Sequence, residues 1–309
     1  MQQLPSPGGL GTLKSRRCTS TSAGAPCHHE EMIAPTAFTA RRQAFRRLHE
    51  SGCFVIPNPW DIGSARYLKG LGFPALASTS SGAAWRQGQA DGQMSVEAVL
   101  EHLREIVGAT DLPVNADFEA GYADDVAGVA RNVRLAIDTG VAGLSIEDAT
   151  GNADAPLLPI SAAVERIRAA RSAIDASGAD VVLVGRAENF IAGRPDLDDA
   201  MRRLQAYAEA GADCLYAPGI STPEQITAVV KAVAPKPVNL LVASASKLTM
   251  EDIAQLGVRR VSVGGALARS AWGGFMRAAQ TIASEGRFDG LADAASGAEL
   301  NKFFSGNIA

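Results

Sequence analysis

The chain has 309 residues, enough for one large α/β domain or two small ones. Its 47% hydrophobic and 20% charged content is that of a globular protein in water, and a net charge of −4 gives no electrostatic reason to bind nucleic acid or a membrane surface. The four cysteines show no CxxC spacing and no paired framework, which suits a reducing cytoplasm, and no apolar run is long enough to span a bilayer.

Residues 1–35 show no apolar period and read as a disordered tail, the alternatives being a transit peptide or a true start at Met32. From Phe38 the pattern becomes regular. A helix carrying Phe45, Leu48 and His49 leads to a strand over residues 53–57. The loop Asn58-Pro59-Trp60-Asp61 follows, then a helix to Leu71. A second strand, 75–78, runs into the small polar turn 79–82. A loop with Trp85, Arg86 and Asp91 precedes a helix capped by Ser95, in which His102 reads as a surface residue and Arg104 and Glu105 as solvated charges.

The third strand opens PVNADFEAGY at residues 113–122, and its helix, 125–139, stops at Gly140. Strand four, 143–147, leads to a Ser161-capped helix ending near Gly178. Strand five, 181–186, precedes the helix 197–210. Strands at 214–217, 237–242 and 260–263 follow, with helices at 222–233, 249–257 and 267–285 and a short one near 298–304. Eight strand–helix alternations predict an α/β fold of the (β/α)8 TIM barrel type over residues 36–309, which ordinarily takes about 250 residues. A doubly wound sheet would carry a Gly-rich phosphate turn after its first strand, and none is present.

Three strands end in charge. PVNADFEAGY ends in Asn115, Asp117 and Glu119, AGLSIEDAT in Glu147 and Asp148, and VVLVGRAEN in Arg186, Glu188 and Asn189. Strand ends meet at one face of a barrel, so these residues imply one acidic mouth with an arginine on its rim. Crowded carboxylates need a cation among them, and oxygen ligands select a hard ion, Mg²⁺ or Mn²⁺. Arg186 suits a substrate carboxylate or a developing oxyanion, and the 78–82 turn offers backbone N–H groups to a second carboxylate. Asn58, Trp60, Asp61, Ser78, Thr79, Ser80 and Asn239 lie at other strand ends. Cys53 and Cys214 read as core thiols.

In order along the chain, IPNPWDIGSARYLKGLG, GFPALASTSSGA, PVNADFEAGY, GVAGLSIEDAT and VLVGRAENF resemble the isocitrate lyase/phosphoenolpyruvate mutase superfamily. The resemblance runs from about Phe38 to Phe304. It implies a (β/α)8 barrel, an Mg²⁺ ion, 2-oxo or 2-hydroxy carboxylate substrates reacting through an enolpyruvate-type intermediate, and a homotetramer that swaps C-terminal helices. By position, it implies a metal site of Asp91, Asn115, Asp117 and Glu147. Ser78, Thr79 and Ser80 match the carboxylate-holding turn, and Arg186 the contact to the substrate's oxygens. Trp60 and Asn239 are further candidate substrate contacts, and Glu119 and Glu188 join Arg186 as catalytic candidates.

The departures are informative. Asn115 replaces the first acid of the family's DAD motif. The segment DATGNAD at 148–154 replaces the lyases' KRCGH loop, with neither Cys nor Lys, and offers Asp148, Thr150 and Asp154 for acid–base duty. Pro218 stands where mutases have a His. The expected activity is Mg²⁺-dependent cleavage of a C–C bond in a small 2-oxo or 2-hydroxy dicarboxylate, like an oxaloacetate decarboxylase or a 2-alkylmalate or methylisocitrate lyase. The alternatives are P–C chemistry of the mutase or phosphonopyruvate hydrolase type, and a catalytically silent oxo-acid-binding barrel.

Overall fold

Along each strand, residues alternate between the barrel interior and the surrounding helices. The computed structural model describes residues 37–306, so the tail expected at 1–35 lies outside it. The elements run α1 (Ala37–Leu48), β1 (Phe54–Ile56), α2 (Ile62–Gly70), β2 (Leu76–Ala77), α3 (Ser80–Arg86), α4 (Val96–Ala109), β3 (Val114–Asp117), α5 (Val126–Asp138), β4 (Gly143–Glu147) and α6 (Ile160–Ser177). Then come β5 (Val182–Arg186), α7 (Leu197–Glu209), β6 (Cys214–Tyr216), α8 (Pro223–Val233), β7 (Val238–Leu241), α9 (Met250–Gln255), β8 (Arg260–Ser262), α10 (Ala266–Glu285) and α11 (Gly297–Ser305).

The eight strands are parallel and ordered β1-β8-β7-β6-β5-β4-β3-β2. Between β1 and β2, the Ala77 N–H donates to the Pro57 carbonyl at 3.0 Å. Asn58 reinforces this closure. Its Nδ2 donates to Ser78 O at 2.9 Å, and its Oδ1 accepts from the Val263 and Gly264 N–H groups at 3.0 and 2.8 Å. This candidate mouth residue thus ties three strand ends together.

Leu76, Val114, Ala116, Leu144, Ile146, Leu183, Leu215, Leu240 and Val261 face outward into the main core. Each fully buried aliphatic side chain of this kind contributes about 1.5–3 kcal/mol. The inward residues form a second, smaller core of Phe54, Ile56, Ala77, Val182, Val184, Cys214 and Tyr216, plugged from below by Phe45 of α1. Gly143 makes room for that plug: a Cβ there would lie 2.6 Å from the Phe45 ring and 2.7 Å from Asn115 Oδ1. The helices start where the sequence provides caps. The Asp125 side chain accepts from Gly128 N, and Thr222 with Gln225 forms a capping box ahead of Pro223.

Several expectations need correction. The 79–82 turn and the start of the following loop form α3, with Thr79 accepting from Gly82 N as its cap. Ser161 caps nothing: α6 begins at Ile160 after Pro159, with no side-chain cap bond. Cys53 lies just before β1 and is half-buried. Glu105 is not a free solvated charge, because Arg86 Nη1 pairs with it at 2.5 Å. His102 is buried on the apolar face of α4 beside Val99, Leu103 and Ile106.

His49 sits between the Phe45 and Phe54 rings. Its Nδ1 lies 2.8 Å from Phe45 O and its Nε2 lies 3.4 Å from Arg260 Nη1. The carbonyl assigns the proton to Nδ1, leaving Nε2 to accept from the arginine. Burial, then the Arg260 charge, lowers the His49 pKa to about 3, and burial lowers that of His102 to about 4. Between about pH 6.5 and these lowered values the histidines take up protons chiefly in the unfolded chain, so their contribution falls as pH drops below about 6.5. His102→Leu is expected to flatten the fall in stability between pH 6.5 and 4.5 by about 1 kcal/mol per pH unit. Equal slopes in wild type and variant, read by urea titration, would contradict a neutral buried His102.

Candidate active site

The C-terminal ends of the strands open on a cavity of about 550 Å³. Inward residues of three neighbouring strands meet there. Arg186 Nη1 donates to Asp117 Oδ1 at 2.6 Å and lies 3.1 Å from Glu147 Oε2, while its Nε donates to Glu188 Oε1 at 3.0 Å. Its guanidinium carbon lies 4.9 Å from the centre of the Tyr216 ring. The arginine expected on the rim is therefore the centre of the acid group. Burial opposes its charge, but Glu147, Glu188 and Asp117 together hold its pKa well above the usual arginine value.

Asp117 is fixed on its other side as well. Its Oδ2 accepts from Ser80 N–H at 3.0 Å, and its own N–H donates to Ser78 Oγ at 2.8 Å. Asp91 lines the same cavity. One N–H of the turn is thus already committed to Asp117. Glu119 follows two residues on and faces the same way, accepting from Tyr122 OH at 2.9 Å. Glu119 and Tyr122 have φ of 43° and 51°, a left-handed conformation that is strained for non-glycine residues. Neighbouring helices hold this turn. Asn132 donates to the Gly121 and Tyr122 carbonyls, and Arg166 to those of Ala120, Ala123 and Asp124.

Five carboxyl groups, of Asp91, Asp117, Glu119, Glu147 and Glu188, line a cavity that holds two guanidinium groups, of Arg186 and Arg260. Burial, reinforced by this crowding, pushes the Glu119 carboxyl up to about 7 and raises those of Glu147, Glu188 and Asp91. Such an all-oxygen set, short of positive charge, fits a hard divalent cation in chemistry. Among the described residues, though, no three acidic, His or Cys side chains are already gathered around one metal position.

The other candidates divide between the cavity and its surroundings. Asn115 also lines the cavity, but its Oδ1 accepts from Arg260 Nη1 at 3.3 Å and its Nδ2 donates to Ala116 O, so its oxygen faces the floor. Asn239 is on the floor too, bonded to Arg260 and Ser262. Thr79 lines the cavity beside Ser78 and Ser80. Trp60 borders a separate cleft with Arg86, Trp272 and Phe275, and Asp61 caps α2.

Asp148 is a clear correction. It is fully buried behind the strands, where it accepts from Tyr207 OH at 2.6 Å, Arg203 Nη1 at 2.9 Å and Glu188 N–H at 2.8 Å. Asn189 points into the same network through Asp199. Arg260, Asn132 and Arg166 were not singled out from the sequence. Arg260 opens β8, where a lone arginine reads as a flanking charge, and Asn132 and Arg166 sit on helices and carry no local signal.

Residues 45–283 match the family profile of phosphoenolpyruvate phosphomutase. The chain belongs to that family, within the isocitrate lyase/phosphoenolpyruvate mutase superfamily. An oxaloacetate decarboxylase of Bradyrhizobium sp. (strain ORS 278) is 31% identical over 73% of this chain and 78% of its own length. A Burkholderia cenocepacia J2315 protein, described provisionally as a lyase/mutase, superposes with a TM-score of 0.85 at 46% identity, over 88% of this chain and 99% of that one. The crystal structure of 2,3-dimethylmalate lyase superposes with a TM-score of 0.76 at 27% identity, over 88% and 96%. With lyases such as these among its relatives, the chain is a carbon–carbon lyase of the superfamily.

Proposed function

We propose that this lyase cleaves a small 2-oxo or 2-hydroxy dicarboxylate through an enolpyruvate-type intermediate. The reading is supported most by Asp117, Glu147 and Glu188 gathered on Arg186 inside an acidic cavity. A named oxaloacetate decarboxylase and a named dimethylmalate lyase among the similar proteins support the same substrate class. Asp117 and Glu147, with Asp91 of the same cavity, would hold Mg²⁺ or Mn²⁺. The ion would supply Lewis-acid polarisation of the substrate's C2 oxygen. Arg186, oriented by its three carboxylates, stabilises charge on that oxygen. The Ser78–Ser80 turn orients the C1 carboxylate. Glu119, hydrogen-bonded to Tyr122, faces the cavity and carries the proton. No cysteine among the described residues lines the cavity, so the lyase-loop thiol has no counterpart there.

Mg²⁺ is expected to raise the wild-type melting temperature. An excess of about a hundredfold over Kd stabilises a native state by about 2.7 kcal/mol. Asp117→Ala and Glu147→Ala should abolish that shift, and an unchanged shift in both would move the ion elsewhere. Substrate identity is tested by screening 2-oxo and 2-hydroxy dicarboxylic acids for release of pyruvate or CO₂. Phosphate release from phosphonopyruvate, with no C–C cleavage, would replace this reading with P–C chemistry. The apolar Trp272, Phe275 and Met276 exposed on α10 support a homotetramer, which light scattering would measure.

A further inference from the structure

We propose that the cavity floor is a subsite for a second carboxylate, held by the Arg260 guanidinium. Arg260 points inward from β8, is 3% exposed and lines the cavity. Its Nε donates to Asn239 Oδ1 at 2.7 Å. Its Nη1 is shared between Asn115 Oδ1 at 3.3 Å and His49 Nε2 at 3.4 Å. Its other terminal nitrogen has no hydrogen-bond partner among the described residues.

The contrast with Arg186 carries the argument. Arg186 is paired with three carboxylates, whereas Arg260 forms no ion pair among the described residues. All three of its acceptors are neutral, since burial and the neighbouring Arg260 charge keep His49 unprotonated near neutral pH. They orient the guanidinium without neutralising it. A buried charge with no counter-ion is costly, and burial, the largest influence on Arg260, pulls its pKa down. The cost falls once an anion enters from the cavity. A planar guanidinium matches the two oxygens of a carboxylate, so a carboxylate is the anion it suits best.

Asn115 belongs to this arrangement. An Asp at that position would place a permanent carboxylate beside Arg260, 3.3 Å from its Nη1 on the present geometry, and would fill the subsite from within. The amide keeps the oxygen acceptor and leaves the charge free. Together with the Ser78–Ser80 turn at the mouth, the floor makes a cavity with two anion-binding ends. This deepens the proposed function, on which it rests only for the identity of the mouth end: the substrate is a dicarboxylate, and a monocarboxylate of the same length is discriminated against.

The test compares succinate with butyrate, each of four carbons, by calorimetry with and without Mg²⁺. Wild type is expected to bind succinate roughly tenfold to a hundredfold more tightly, the scale of a hydrogen bond to a charged group. Arg260→Gln should bring the ratio close to one, and Asn115→Asp should do the same by internal occupation of the subsite. Equal binding of the two acids by wild type overturns the proposal without need of any variant. So does an undiminished succinate preference in Arg260→Gln. A preserved preference in wild type that Arg260→Gln removes, in a protein that shows no Mg²⁺ shift and no turnover, would uphold the subsite and sink the proposed function.

Discussion

Arg186→Ala is expected to lose roughly 10²–10³ in kcat, the scale of removing one oxyanion donor. It should also unfold more readily. Asp117, Glu147 and Glu188 converge on this one guanidinium, and Glu147 and Glu188 are 13% and 5% exposed at the side chain. Without the cation, these carboxylates repel one another in a site that water barely reaches. Breaking a buried pair from one side costs about 3–5 kcal/mol. In a domain of this size that corresponds to roughly 10 °C in melting temperature. Arg186→Lys should recover part of the stability, because it restores a positive charge. It should recover little of the rate, because an ammonium cannot serve Asp117 and Glu188 at once through two differently placed N–H groups. A full rate in Arg186→Ala would remove the arginine from the chemistry. A full melting temperature with a lost rate would mean that the three acids are not held ionised against it.

The barrel was legible because its strands are short, apolar and separated by amphipathic helices that stop at glycines. The acid group was legible because Asp117, Glu147 and Arg186 each end a strand. The rest needed the period of two. Glu119 and Glu188 share a face with Asp117 and Arg186 because they lie two residues further on, and Asp148 lies one residue past Glu147 and so faces the helices. Reading the pair Glu147-Asp148 as two mouth acids ignored that alternation. His102 obeys the corresponding rule for a helix. Its charged sequence neighbours suggested a surface, but positions 99, 102, 103 and 106 form one buried helical stripe. Arg260 is not legible in the sequence, because a lone arginine at the start of a strand resembles a flanking charge. Only the ring of strands shows that it faces the same interior as Asn115 and Asn239. The turn at Thr79 was read as loop because its small residues carry no apolar period, although Ser80 to Arg86 make two turns of helix once Thr79 caps them.

Asp148→Asn is expected to behave unlike any change at Glu147, its neighbour in sequence. The Asp148 carboxylate gathers three donors: Tyr207 OH, Arg203 Nη1 and the Glu188 N–H. Arg203 is fastened a second time by Asp199, at 2.6 Å, so it cannot swing away to find water. An amide that keeps its oxygen on the Glu188 N–H turns its own N–H₂ toward Tyr207, whose hydroxyl can turn to accept, and toward Arg203, donor against donor. Loss of the charge also leaves the guanidinium short of a partner in a side chain that is 9% exposed. The cost should be about 3–5 kcal/mol, again roughly 10 °C. The cavity keeps all its own acids, so the Mg²⁺-induced rise in melting temperature should survive in size. Glu147→Gln should do the reverse, with a smaller change in stability and a lost Mg²⁺ response. The rate in Asp148→Asn should fall only as far as the Glu188 backbone drifts from Arg186. If Asp148→Asn melts like wild type while its Mg²⁺ response disappears, the carboxylate belongs in the cavity and the inside–outside alternation across this strand end is wrong.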